Sequence, residues 1–231
     1  MQSNSRKKRG DIMRRSLLPW KALSLAVVLA GTVAASQLSA QQSQTQSSSS
    51  QSTQSAPPPG TIGERKENQQ DRIAQGVKSG QLTAGETAKL ESKEAGLNKE
   101  VRTDRQQDGG KLTQQQRTQI NQQQNRLSGQ IYQDKHNAAT QHYGNNEVDQ
   151  RRENQQDRIA QGIKSGQLTA GETAKLESKE AAVNKEVRTD RQSNGGKLTQ
   201  GEKKQVNQQQ NKLSSKIYQD KHNNRTQHPR K

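Results

Sequence analysis

Histidine occurs four times in this chain of 231 residues, in two pairs: His136/His142 and His222/His228. Asp134 and Asp220 stand two residues before the first histidine of each pair. The pattern Asp-x-His-x5-His offers three oxygen and nitrogen donors, a set that suits zinc or copper. The same letters also read as a helix end. In residues 131–137, Lys135 and His136 complement the negative end of a helix dipole, and Asn137 suits a left-handed cap. The cap is the preferred reading, so no metal and no other cofactor is expected.

A second constellation resembles the spacing of a calcium loop. Gly80, Leu82 and Glu86 fit the sixth, eighth and twelfth positions of an EF-hand, as do Gly166, Leu168, Glu172 and Gly196, Leu198, Glu202. The first, third and fifth positions should be rich in oxygen. Here they are Gln75, Val77 and Ser79, or Arg191, Ser193 and Gly195, which leaves one carboxylate per loop to replace a hydration shell. Calcium binding is not expected. With no cysteine, disulfides, thiolate metal sites and cysteine nucleophiles are excluded. The histidines lie only at helix ends, and no glycine-rich phosphate loop follows a strand. The chain reads as a non-enzyme.

The elements that carry these residues come from a duplication. Residues 67–141 recur at 153–227, displaced by 86, with 15 differences over 75 positions. At the large apolar positions the changes stay aliphatic: Val77 to Ile163, Leu97 to Val183 and Ile120 to Val206. Within each copy, Leu90, Leu97 and Val101 are echoed by Ile120, Leu127 and Ile131, spacings of seven and four that form one narrow helical stripe. Thr83 with Glu86, Thr113 with Gln116, Thr169 with Glu172 and Thr199 with Glu202 are four capping boxes that start helices. The expected fold is all-α: two tandem three-helix modules, the first with helices at about 64–78, 84–106 and 114–136. Ile73, Val77, Leu82 and Leu112 join the stripe residues as its core, and Tyr132 flanks it. The expected divisions are a helical repeat at 61–143, a linker at 144–150 and a second repeat at 151–231.

Leu, Ile, Val and Phe together make up 32 residues, about 14% of the chain, and ten of them precede residue 40. That lies below the ~20% at which a charged chain usually fails to fold. Each module is therefore expected to be marginal, and pairing between copies or between chains would help it.

Those early apolar residues belong to an export signal of residues 1–40. A basic stretch to Lys21 precedes an apolar run at 22–35 and small or polar residues at 36–40. As helix the run would span about 21 Å, short of a ~30 Å hydrocarbon core, so cleavage is preferred over an anchor at 22–40. Arg14-Arg15-Ser16-Leu17-Leu18 matches a twin-arginine core, which leaves the export route open. Residues 41–60, built from Gln, Ser and Thr and closed by Pro57-Pro58-Pro59, read as a disordered tether. The location expected is the periplasm or the exterior.

The formal net charge is +16. A basic exported chain favours anionic envelope polymer, lipopolysaccharide or nucleic acid as partner. The first copy carries 11 bases and 9 acids, the second 14 and 9. Lys203, Lys204, Lys212, Lys216 and Arg225 are the candidate polyanion-binding residues, so the second copy is expected to bind polyanions more tightly. Beyond the signal, Tyr132, Tyr143 and Tyr218 are the only aromatic residues, too few for a stacking platform for single-stranded nucleic acid.

Leu112-Thr113-Gln114-Gln115-Gln116 resembles the LTxxQ motif of the Spy-type periplasmic chaperones, and the three equivalent sites read LTAGE or LTQGE. The whole repeat is also similar to exported bacterial helical-repeat proteins without known activity. The first resemblance implies a small exported helical protein that holds unfolded clients without ATP. Client protein is thus the first expected partner, anionic envelope polymer the second, and self-association through the helical stripes a third.

Overall fold

The computed structural model describes residues 60–227. Residues 1–40, read above as an export signal, lie outside the described residues, as do His228 and all of the stretch 41–60, read as a tether, except Gly60. The described chain is all-α, with six packed helices: α1 (Ile62–Lys78), α2 (Ala84–Gln107), α3 (Gln114–Lys135), α4 (Glu147–Lys164), α5 (Ala170–Ser193) and α6 (Gln200–Lys221). None of these helices is long and apolar enough to cross a membrane.

Each start is set by a side chain that replaces a missing intrahelical partner. The threonines at 83, 113, 169 and 199 all cap, and the glutamate or glutamine three residues on returns the bond to the cap backbone. A fifth box begins α1 two residues earlier than the sequence pattern placed it. Thr61 N–H donates to Glu64 Oε2 at 2.7 Å, and Glu64 N–H donates to Thr61 Oγ1 at 3.2 Å. The stretch read as a linker, 144–150, is likewise shorter. Asn146 accepts from Asp149 N–H at 3.2 Å, so α4 begins at Glu147.

The α1–α2 and α4–α5 turns depend on glycine twice. Gly80 has φ +70° and Gly166 φ +67°, which lets Leu82 and Leu168 N–H reach back to the Gly76 and Gly162 carbonyls, each at 3.0 Å. Those leucines then fold over the preceding helix. A Cβ on Gly76 or Gly162 would stand 2.7 or 2.6 Å from Leu82 or Leu168 Cδ1.

Helices α2 and α5 pack together, and so do α1 and α4. The main core follows from that pairing. Ile73, Ala74, Val77, Leu82, Leu90, Leu127 and Ile131 form one cluster with Ile159, Ala160, Ile163, Leu168, Leu176, Leu213 and Ile217, their counterparts 86 residues on. Two smaller clusters stay within one copy each. Leu97, Leu112 and Ile120 pack with the half-buried Ile62 and Val101, while Val148, Val183, Val187, Leu198 and Val206 make the equivalent group.

Glutamine completes the packing between the outer helices. Gln69 Nε2 donates to the Gln124 carbonyl at 2.7 Å, and Gln124 Nε2 donates to the Ile62 carbonyl at 2.9 Å. Gln155 and Gln210 repeat the clasp at 2.7 and 2.8 Å.

Two outcomes are expected from this core. Leu90→Ala should lower stability by about 2–5 kcal/mol in one cooperative urea transition followed by circular dichroism. A second, unshifted transition would show that the copies unfold separately. Gly162→Ala should cost about 1–3 kcal/mol by crowding the buried Leu168, measured as a lowered urea midpoint.

Candidate functional site

The seam between α2 and α5 carries four glutamates that apolar patterning does not announce. Glu91, Glu94, Glu177 and Glu180 each have 0% of their surface exposed. Gln70 Nε2 on α1 donates to Glu91 Oε2 at 3.2 Å, and Gln156 Nε2 on α4 donates to Glu177 Oε2 at 2.9 Å. Arg152 Nε lies 3.6 Å from Glu180 Oε1. Glu91 Oε1, Glu177 Oε1 and both oxygens of Glu94 and Glu180 accept no well-formed hydrogen bond, although Asn98 lies near enough to Glu94, and Arg152 to Glu180, to favour their ionised forms. Gln70 Oε1 is orphaned beside them.

Loss of water disfavours a buried charge, and the seam shows the consequence. Burial pushes the Glu91 carboxyl up to about 8, with Glu94 adding to the rise while Gln70 and Lys66 oppose it. Glu94 and Glu180 are pushed to about 7, against the pull of Lys66 on the first and Arg152 on the second. Burial holds Glu177 well above the usual carboxylate range, and Glu180 and Glu91 reinforce it.

Two clefts flank this seam. The start of α2, residues 83–85, shares a cavity of about 640 Å³ with Lys185, Arg188 and Arg191 of α5. The start of α5, residues 169–171, shares one of about 1270 Å³ with Arg102 and Arg105 of α2, together with Lys66 and Arg225. The two helices therefore run antiparallel, each presenting the positive end of its dipole to bases on the other. Arg191 is committed, its Nη2 lying 3.0 Å from Asp149 Oδ2. Arg152 is held 2.9 Å from Asp149 Oδ1. Burial would raise Asp149, but hydrogen bonds from Arg191 and Asn146 outweigh it and hold the carboxyl below its ordinary value. Among the described residues, no carboxylate lies within ion-pair distance of Lys185, Arg188, Arg102, Arg105 or Arg225.

The two clefts differ at one amide. Ala170 N–H, at the first position of α5, donates to Gln227 Oε1 at 2.9 Å, whereas the Gln141 side chain makes no such bond to Ala84. Gln141 and Gln227 do share a backbone role, donating to the Gly80 and Gly166 carbonyls at 2.8 Å.

Of the polyanion candidates read from the sequence, only Arg225 lines a cleft. Lys203, Lys204 and Lys212 are exposed on α6, and Lys216 pairs with Asp220 at 2.8 Å. They do not converge with the cleft bases.

His136 and His222 sit where a helix end needs them, as the C-caps of α3 and α6. His136 Nδ1 donates to the Tyr132 carbonyl at 2.7 Å, and its ring stacks on Tyr132 at 4.1 Å. His222 does the same with Tyr218. His142 Nε2 is 2.6 Å from Thr140 Oγ1. Asn137 bonds through its side chain to Glu86 Oε1 at 2.7 Å, while Glu86 Oε2 takes the Thr83 backbone and hydroxyl. The carboxylate an EF-hand would use is thus occupied by capping. Among the described residues no group of three or more His, Cys, Asp and Glu could hold a metal ion.

No family model, curated protein or solved structure matches the chain.

Micromolar zinc or copper is expected to produce no heat by calorimetry and no change in helicity. A saturable heat lost on His136→Ala or His222→Ala would restore the metal reading.

Proposed function

We propose that this chain is an exported, non-enzymatic helical binding protein that engages an anionic envelope polymer through the two basic clefts. Its architecture in this reading is a pair of tandem three-helix modules, α1–α3 and α4–α6, that pair with each other. The observation that carries the proposal is the gathering, opposite a helix start, of bases that have no ion pair among the described residues. They are Lys185 and Arg188 in one cleft, and Arg102, Arg105 and Arg225 in the other, where Glu67 is the one acid in the lining. A helix start favours anions, and unneutralised guanidinium groups suit sulfate, phosphate and carboxylate alike. The signal-like residues 1–40 supply the exported location.

A client-holding role, as in the Spy-type resemblance, is the second reading. It draws less support from the described surface, where Tyr132 and Tyr218 are the exposed large apolar side chains. Both clefts take residues from both copies, so variants in the intact chain test the proposal better than isolated repeats.

Heparin and lipopolysaccharide are the probes. Lys185→Glu with Arg188→Glu, and separately Arg102→Glu with Arg105→Glu, should each weaken binding at least about tenfold and lower the salt slope by about one per lost contact. Unchanged affinity in both double variants would remove the clefts from the function. The client reading would then lead.

A further inference from the structure

We propose that the seam between α2 and α5 is a proton-binding site, which closes by taking up protons on Glu91, Glu94, Glu177 and Glu180 and loosens when they ionise. The proposal is independent of what the clefts bind.

Its basis is a shortage of hydrogens. Seven side-chain atoms in this layer lack a partner: Glu91 Oε1, both Glu94 oxygens, Glu177 Oε1, both Glu180 oxygens and Gln70 Oε1. All seven are acceptors, and the unpartnered Tyr143 hydroxyl near Glu177 and Glu180 has only one hydrogen to offer them. The seam is therefore not short of acceptors through poor packing; it is short of donors, and a protonated carboxyl supplies one. Leaving these oxygens ionised and unpaired would cost more than neutralising them, which is the ordinary fate of a buried carboxylate.

The charged surroundings do not remove the deficit. From α1, Lys66 acts on Glu91 and Glu94; Glu67 acts on Lys66 itself. From α4, Arg152 acts on Glu180, but its guanidinium is shared with Asp149. Across the seam Glu177 faces Glu91, while Glu180 acts on it from the same helix. Tyr143, raised by burial, stands near Glu180, Glu177, Glu153 and Arg152. Helices α3 and α6 add no charged group to those acting on the four carboxyls. Burial lowers Lys66 from its ordinary value, while Glu94, Glu67 and Glu91 oppose the shift.

The sign follows from linkage. A carboxyl raised in the folded chain carries its penalty at high pH and sheds it as pH falls through the folded value. Here the window runs downward from about 8, the value for Glu91, through about 7 for Glu94 and Glu180. The folding constant of the intact chain should rise on the order of tenfold or more per carboxyl between about pH 8.5 and about pH 5.5.

Urea unfolding of the full chain at those two pH values reads this directly. Glu94→Gln with Glu180→Gln, and separately Glu91→Gln with Glu177→Gln, bring amide hydrogens and no charge. Each pair should raise stability at the higher pH and flatten the pH dependence, whereas a purely packing role would lower stability at both pH values alike. If one pair does not fold, the other pair decides. A second readout uses the wild-type chain alone: unfolding by urea in weakly buffered solution near about pH 6 should release protons. Stability that stays level or falls on acidification, no proton release, or an unaltered pH slope in the variants would each overturn the proposal.

Discussion

Neither copy holds enough apolar surface to close a core alone, and the remainder of the structure answers that constraint. The main cluster takes seven side chains from each copy, at equivalent positions. Leu90 and Leu176, both without exposed surface, lie in it on helices that face each other. Burial of an aliphatic side chain is worth about 1.5–3 kcal/mol, so separating the copies would forfeit the largest favourable contribution either has. Pairing is what the scarcity of Leu, Ile and Val requires.

With so few apolar residues, polar ones must enter the interior, and they do so in two ways. The first set, of glutamines, satisfies its amide nitrogens, while Gln69, Gln124, Gln155 and Gln210 Oε1 have no partner. Gln69, Gln124, Gln155 and Gln210 each donate to a main-chain carbonyl on a neighbouring helix, so a polar side chain becomes a crosslink. The seam glutamates are only half solved, since Gln70 and Gln156 satisfy one oxygen on Glu91 and one on Glu177. The copies also diverge here. Arg152 has Asp149 beside it, but Lys66, at the matching position, has Gly63 where Asp149 would be. Arg152 is therefore divided between Asp149 and Glu180, whereas Lys66 has no such competitor at that position.

The helices were legible because Thr-x-x-Glu/Gln boxes and aliphatic stripes are local signals, and the boxes at 83, 113, 169 and 199 all cap in the structure. Thr61-x-x-Glu64 carried the same signal and gives α1 its earlier start. The seam was also written in the sequence, less plainly. Glu94 falls four residues after Leu90 and three before Leu97, on the stripe itself, where a charge contradicts the pattern. Glu180 repeats that position between Leu176 and Val183, whereas Glu91 and Glu177 become meaningful only once α2 faces α5, a long-range pairing that periodicity does not encode. The clefts depend on that same pairing, so the excess charge on α6 drew attention to lysines that do not converge.

One base on each side ties the centre of the molecule to its clefts. Lys66 acts on Glu91 and Glu94 and lines the larger cleft; Arg152, its counterpart, approaches Glu180 and lines the smaller. On the two proposals above, protonation of a seam carboxyl would remove one competitor for each of these bases, and acid would therefore strengthen anion binding. Binding free energies are reciprocal, so an anion that draws Lys66 or Arg152 outward must in turn favour proton uptake at the seam. The linkage needs no movement of the helices. It needs only that one cation be shared between two sets of negative charge, which is where the duplicated sequence places Lys66 and Arg152.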